Sequence, residues 1–265
     1  MKDECRKMKT KLPHFSSLCF IAVITFLYAP LLVLMGNSFN KSKYGGTWEG
    51  FTWQWYERLW KDDATIEALL HSLEIGACAT LGATILGTLA AWCLHRYSSP
   101  LQRVHLLLTE VPLAVPDIWL GVAMQLFFVS VGWQLGFGTV IAAHITFCLC
   151  YVTAVMLGRL QSFDFQIIDA ARDLGATNWQ VAWRIVLPVL LPGIVASALL
   201  AFILSLDDFV ITFFVSGPGA STLPSRVFAM AKTSRNLPVI NALSTILTLG
   251  TFAIAILGHR LMKKA

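Results

Sequence analysis

The chain has 265 residues, 56% of them hydrophobic and only 13% charged, with a formal net charge of +5. Soluble chains carry about 25% charged residues, so this composition excludes an ordinary soluble domain and implies an all-α polytopic membrane protein. In such a protein the positive excess reflects loop topology and not nucleic-acid binding. The six cysteines show no CxxC or Cys/His ligand spacing, which leaves no basis for a metal site or a disulfide framework.

Taken in chain order, Met1 to Lys11 is short and basic. The apolar run that follows lacks a small-x-small cleavage site, so Leu18 to about Asn37 reads as a retained first span. Asn40 to Asp63 is an aromatic segment, and Trp53, Tyr56 and Trp60 share a helical face suited to the bilayer interface. Span two covers about Ala64 to Leu94. Its Ala79, Ala83, Gly87 and Ala91 form a ridge of small residues that lets another helix approach closely. Span three, about Leu101 to Ser130, is expected to break at Pro112 and Pro116. Span four is about Thr139 to Leu160, span five about Leu187 to Val215 and span six about Leu237 to Leu261. Ser216 to Asn236, with a short helix near Val227 to Lys232, joins the last two. The expectation is one transmembrane domain over residues 1–265 with six spans, each near the length that crosses a ~30 Å hydrocarbon core.

Between spans four and five lies the stretch around which the chain is organised, about residues 165–188. Ile167, Ile168, Ala171 and Leu174 recur at helical spacing, and Gly175 follows as a stop. A second helix restarts at Thr177 or Asn178 and carries Trp179, Ala182, Trp183 and Val186 on one face. Leu187-Pro188 and Pro192-Gly193 then lead into a long apolar helix. With six spans, both termini and this loop share a side. Thirteen of the twenty Lys and Arg residues fall on that side and seven on the other, which makes it cytoplasmic.

Charges inside spans are costly and mark pathways or helix contacts. Glu110 and Asp117 lie in span three, Asp207 and Asp208 in span five. On straight helices Asp117 lies about 24 Å past Leu101, and Asp207 about 22 Å past Pro192, at 1.5 Å per residue. That matched depth would let both face one path for a cation, with Trp119 as an aromatic wall. Asp117 also fits a cap on the helix restarted after Pro116. Asp207 and Asp208 point about 100° apart, so at most one of them faces a pore squarely, and Asp208 is the favoured one. His144 reads as an interhelical hydrogen-bonding residue.

The run Asp169-Ala170-Ala171 through Leu174-Gly175-Ala176, followed by Leu187-Pro188, resembles the EAA loop of ABC-transporter permeases, with Asp169 where the family carries Glu. The runs at Pro116 to Gly121, His144 to Cys148, Ser205 to Val210, Ser216 to Gly219 and Leu223 to Phe228 resemble the spermidine/putrescine permeases, specifically the second of their two permease subunits. The resemblance implies a type I importer permease fold. In it Asp169, Ala170, Ala171, Leu174, Gly175, Leu187 and Pro188 couple to an ATPase. It also implies a bacterial inner-membrane location with both termini cytoplasmic. The implied partners are a dimer of ATPase subunits, a second and different permease subunit, a periplasmic polyamine-binding protein and membrane lipid, with no nucleic acid. No GxxxxGK-Ser/Thr pattern occurs, so ATP and Mg²⁺ would be held by the partner ATPase, and the chain itself would be neither an enzyme nor a cofactor carrier. The competing readings are an ABC importer of another solute (cation, amino acid or iron), a stand-alone channel or secondary transporter, and an intramembrane enzyme. The last would need a converging nucleophile–base or metal set, and none is visible.

Overall fold

The computed structural model describes residues 14–43, 47–98, 100–233 and 237–264. The basic residues of Met1 to Lys11, and Arg235, which enter the charge count, lie outside them. Among the described residues all regular structure is helical apart from one isolated β-bridge. The chain forms two compact units, Met1–Lys61 with Thr233–Thr248, and Asp62–Lys232 with Leu249–Ala265.

The first unit begins with α1 (His14–Asn37), a continuous apolar helix whose side chains are left to the bilayer. The chain then turns on Asn40, which bridges antiparallel to Phe51. Asn40 is buried, and both ends of its side-chain amide are bonded. Its Oδ1 accepts from the Ser42 and Glu49 amides, its Nδ2 donates to Thr47 O, and its carbonyl accepts Trp55 Nε1 at 2.7 Å. This knot sets the direction of α2 (Gln54–Trp60), which buries Trp55 and Leu59. The expected interfacial stripe is therefore split: Trp53 precedes the helix and packs with Phe39, Phe51 and Tyr56, while Trp60 projects outward.

The second unit is built on α3 (Asp63–Arg96), α6 (Phe137–Gln161) and α9 (Leu187–Asp207), which pack on one another. Every residue of the small ridge on α3 (Ala79, Ala83, Gly87, Ala91) is buried. A Cβ on Gly87 would lie 2.7 Å from Val152 Cγ1 and 3.1 Å from the Leu149 carbonyl. The ridge is thus consumed by α6 of the same chain, and it carries no argument for a second permease subunit.

Two spans differ from expectation. Span three is a helix pair, α4 (Gln102–Ala114) and α5 (Asp117–Ser130), bent by 114°. Pro112 stays inside α4. The break falls at Val115–Pro116, because a proline forces the residue before it out of the helical region. Among the described residues five helical segments are long and apolar enough to cross a membrane, and six if this bent pair counts as one. The depth assigned to Asp117 assumed a straight helix and does not hold. Span five is likewise interrupted. Asp208 is extended (ψ 123°) between α9 and α10 (Val210–Val215), so Asp207 and Asp208 are not successive positions of one helix. Helix α11 (Leu223–Thr233) and helix α12 (Leu237–Lys264) follow.

At its start the second unit is tied by Asp62. Its carboxylate accepts from the Thr65 hydroxyl at 2.6 Å and from Arg226 Nη2 at 3.1 Å. Burial pushes this carboxyl up, but the hydrogen bonds from Thr65 and Arg226 and the guanidinium charge outweigh it and hold the group below its usual value.

Candidate functional site: a glycine-turn loop and an acidic helix break

The loop between α6 and α9 starts with α7 (Gln166–Asp173). Its Ile168 and Ala171 face the core, whereas Asp169 and Ala170 are exposed. The chain reverses at Gly175, which has φ +83°. The Gly175 amide donates to Arg172 O at 2.8 Å and the Ala176 amide to Ala171 O at 3.0 Å. This double bond pattern satisfies the last carbonyls of α7 and requires a left-handed residue, a conformation that costs an L side chain about 1–2 kcal/mol. Thr177 then caps α8 (Asn178–Val181) with a capping box: Thr177 Oγ1 accepts from Gln180 N, and Gln180 Oε1 accepts from Thr177 N. Between the two helices Leu174 (89% exposed) and Trp179 (71%), the latter beside Trp183 at 5.3 Å, stand out as large exposed apolar side chains.

From α8 the helix continues through a π-helical turn at 182–186 into α9. Pro188 supplies the reason: its ring crowds the carbonyl four residues back and it offers no amide, so the widened turn accommodates it. Leu187 is half-buried and Pro188 exposed.

The base of the loop is fixed by a cluster that sequence reasoning missed. Phe163 and Phe165, just before α7, pack on Trp92 at 6.4 and 5.9 Å, His95 stacks on Phe165 at 5.4 Å, and the Arg96 guanidinium sits over the same ring at 5.6 Å. The segment leading into α7 is thereby packed on the end of α3. The available signal was aromatic residues on both sides of a loop, and nothing in their spacing shows that they meet.

At the helix break Asp208 is buried, with its side chain 7% exposed. Its Oδ1 accepts from Ile211 N (3.2 Å); its Oδ2 accepts from Thr212 N (2.8 Å) and Thr212 Oγ1 (2.9 Å), and lies 3.2 Å from His144 Nε2. His144 is itself buried on α6, with Nδ1 2.7 Å from Ser205 Oγ and Nε2 2.9 Å from Thr212 Oγ1. With Nε2–H donating and Nδ1 accepting the Ser205 hydroxyl hydrogen, the His144 ring and the Asp208 carboxylate are both partnered. Asp208 thus caps α10 and fastens both sides of the break to α6. Of the two adjacent carboxylates, Asp208 is held inside this network and Asp207 is exposed. Asp117 opens α5 as its first residue and is also exposed, as is Trp119 at 68%. Glu110 is exposed on α4. Helix α5 packs closely on α10, where Gly121 meets Phe214 and Ile211. Among the described residues no cluster of His, Cys, Asp and Glu is arranged to hold a metal.

Comparison with known proteins adds four findings. Residues 83–264 match the family model described as "Binding-protein-dependent transport system inner membrane component". The chain is 41% identical to the spermidine/putrescine transport system permease protein PotC of Haemophilus influenzae, over 91% of this chain and 94% of that one. It is 43% identical to the putrescine transport system permease protein PotI of Escherichia coli K12, over 91% and 88%. Among solved structures, a bacterial ABC transporter involved in import of the acidic polysaccharide alginate superposes with a TM-score of 0.73 at 14% identity. That match covers 94% of each chain.

Proposed function

The chain belongs to the inner-membrane components of binding-protein-dependent transport systems, and from that premise we propose that it is a permease subunit of an ATP-driven importer of polyamines. The observation that carries this reading is the α7–α8 loop: an exposed apolar face on a rigid glycine turn, in a chain that has no nucleotide-binding pattern of its own. Such a face serves a partner that supplies the work. The loop side is cytoplasmic, with the termini. An ATPase dimer holding ATP and Mg²⁺ docks on Asp169, Ala170, Leu174 and Gly175, with Ala171, Leu187 and Pro188 supporting the loop from behind. When the ATPase closes, α7 moves as a body and the Phe163–Phe165–Trp92 joint carries the motion to α3, while the π-helical turn carries it to α9 and the break at Asp208.

A polyamine is a chain of ammonium groups, and a path for it needs negative or π-rich surface to offset lost hydration. Asp207, Asp117 and Trp119 are exposed groups of that chemistry. Just beyond the break Phe209 lies against Phe228 at 4.7 Å and Phe213 at 5.7 Å, and the Lys232 ammonium already rests on the Phe228 ring at 5.3 Å. A second, different permease subunit completes the path, and a periplasmic binding protein delivers the solute.

The test is uptake in cells lacking their own polyamine importers and carrying this chain with its ATPase, permease and binding-protein partners. Labelled putrescine or spermidine should accumulate only with ATP available. Accumulation of an unrelated solute with no polyamine uptake would overturn the substrate, and uptake by the chain alone would overturn the mechanism.

A further inference from the structure

On the loop side of the second unit a groove of about 740 Å³ opens between the end of α3, the α7–α8 loop and the start of α9. Its floor is apolar, formed by Leu89 on α3 and by Leu190 and Ile194 on α9. Its other end is polar. There Arg96, the last residue of α3, and Arg172 of α7 line the rim with Trp183. Apolar floor and basic rim are separated along the helices. From Leu89 to Arg96 is seven residues, and from Ile194 back to Leu187 is also seven, which is about 10 Å at 1.5 Å per residue. The basic end falls at Arg96, where the apolar span Asp63–Arg96 stops.

Among the described residues the two guanidiniums have no carboxylate within salt-bridge distance that neutralises their charge: Arg172 Nη2 donates to Asn178 Oδ1 at 3.1 Å, and Arg96 rests on the Phe165 ring. Two cations at the mouth of an apolar slot, flanked by indole, complement a ligand with an anionic head and a hydrocarbon tail. We propose that this groove binds an anionic phospholipid, its phosphate between Arg96 and Arg172 and the upper part of an acyl chain against Leu89, Leu190 and Ile194. Because Arg96 and Arg172 belong to the aromatic joint and the coupling helix respectively, the lipid would brace the loop against α3.

Native mass spectrometry of the intact complex, purified in mild detergent and offered phosphatidylglycerol or phosphatidylcholine, tests this. The wild type should retain phosphatidylglycerol preferentially, and the double change Arg96→Gln/Arg172→Gln should lower its occupancy about tenfold or more. Arg103→Gln, outside the groove, should leave it unchanged. Equal retention of the two lipids, or no loss in the double variant, would overturn the proposal. A photo-crosslinking residue at Trp183 gives an independent arm that needs no arginine change. Labelling of lipid supports the proposal; crosslinking to the ATPase or the second permease instead shows that protein fills the groove and refutes it. Neither readout depends on which solute is carried.

Discussion

Replacing His144 by Leu is the sharpest probe of the helix break. The change removes the Nε2 contact to Asp208 at 3.2 Å and the Nδ1 contact to Ser205 at 2.7 Å. A hydrogen bond to a charged group contributes about 1.5–3 kcal/mol, and a neutral one about 0.5–1.5. The Asp208 carboxylate keeps its three donors from Ile211 and Thr212, so the loss stays below the full 3–5 kcal/mol of an orphaned buried charge. A destabilisation of about 3 kcal/mol follows, which in a domain of this size lowers Tm by roughly 6–12 °C. The assay is thermal melting of the detergent-solubilised complex followed by size-exclusion chromatography. His144→Gln, which retains one donor, should fall between the two. If His144→Leu melts within roughly 2 °C of wild type, the network does not hold α6 to the break and the argument fails.

Other outcomes follow from the same geometry. Asp62 has a depressed pKa, so its contribution to stability is present above its ordinary value of 3.8 and is lost as the pH falls through the still lower folded value. Melting from about pH 6 down to about pH 3 should therefore show a fall in the wild type that Asp62→Asn lacks; parallel curves would remove the Asp62–Arg226 tie as the cause. Asp207→Asn and Asp117→Asn should reduce polyamine uptake without lowering Tm, because both side chains are exposed, in contrast to Asp208→Asn, which should lower both. Unchanged uptake kinetics in Asp207→Asn and Asp117→Asn would take these carboxylates out of the pathway.

Much of the fold was legible because it is local. The spans follow from block hydrophobicity, and the loop's turn and restart follow from Gly175 and Thr177, whose roles are written in their own backbone geometry and capping bonds. What escaped is what depends on helices meeting. The small ridge on α3 announced a close partner but not which one, and α6 of the same chain takes it. Asp208 looked like a pathway charge because a carboxylate in an apolar run is costly. Its partner His144, held in turn by Ser205, lies on α6 and is 64 residues away in sequence, so no local pattern pairs them. The break at Pro116 is legible in the sequence, but its 114° angle and the packing of α5 on α10 are not. The aromatic joint beneath α7 has no periodic signature at all.

The central claim is that the α7–α8 loop transmits the work of an ATPase through its glycine turn. It is tested most directly by Gly175→Val in the reconstituted complex, measuring ATP hydrolysis and polyamine uptake in the same proteoliposomes. Valine at φ +83° disfavours the turn by about 1–2 kcal/mol or more, and a β-branched side chain is the least suited to that conformation. The expected result is that uptake falls far more than hydrolysis, so that more ATP is consumed per solute moved, while the complex still assembles. Wild-type rates of both hydrolysis and uptake in Gly175→Val would contradict the account.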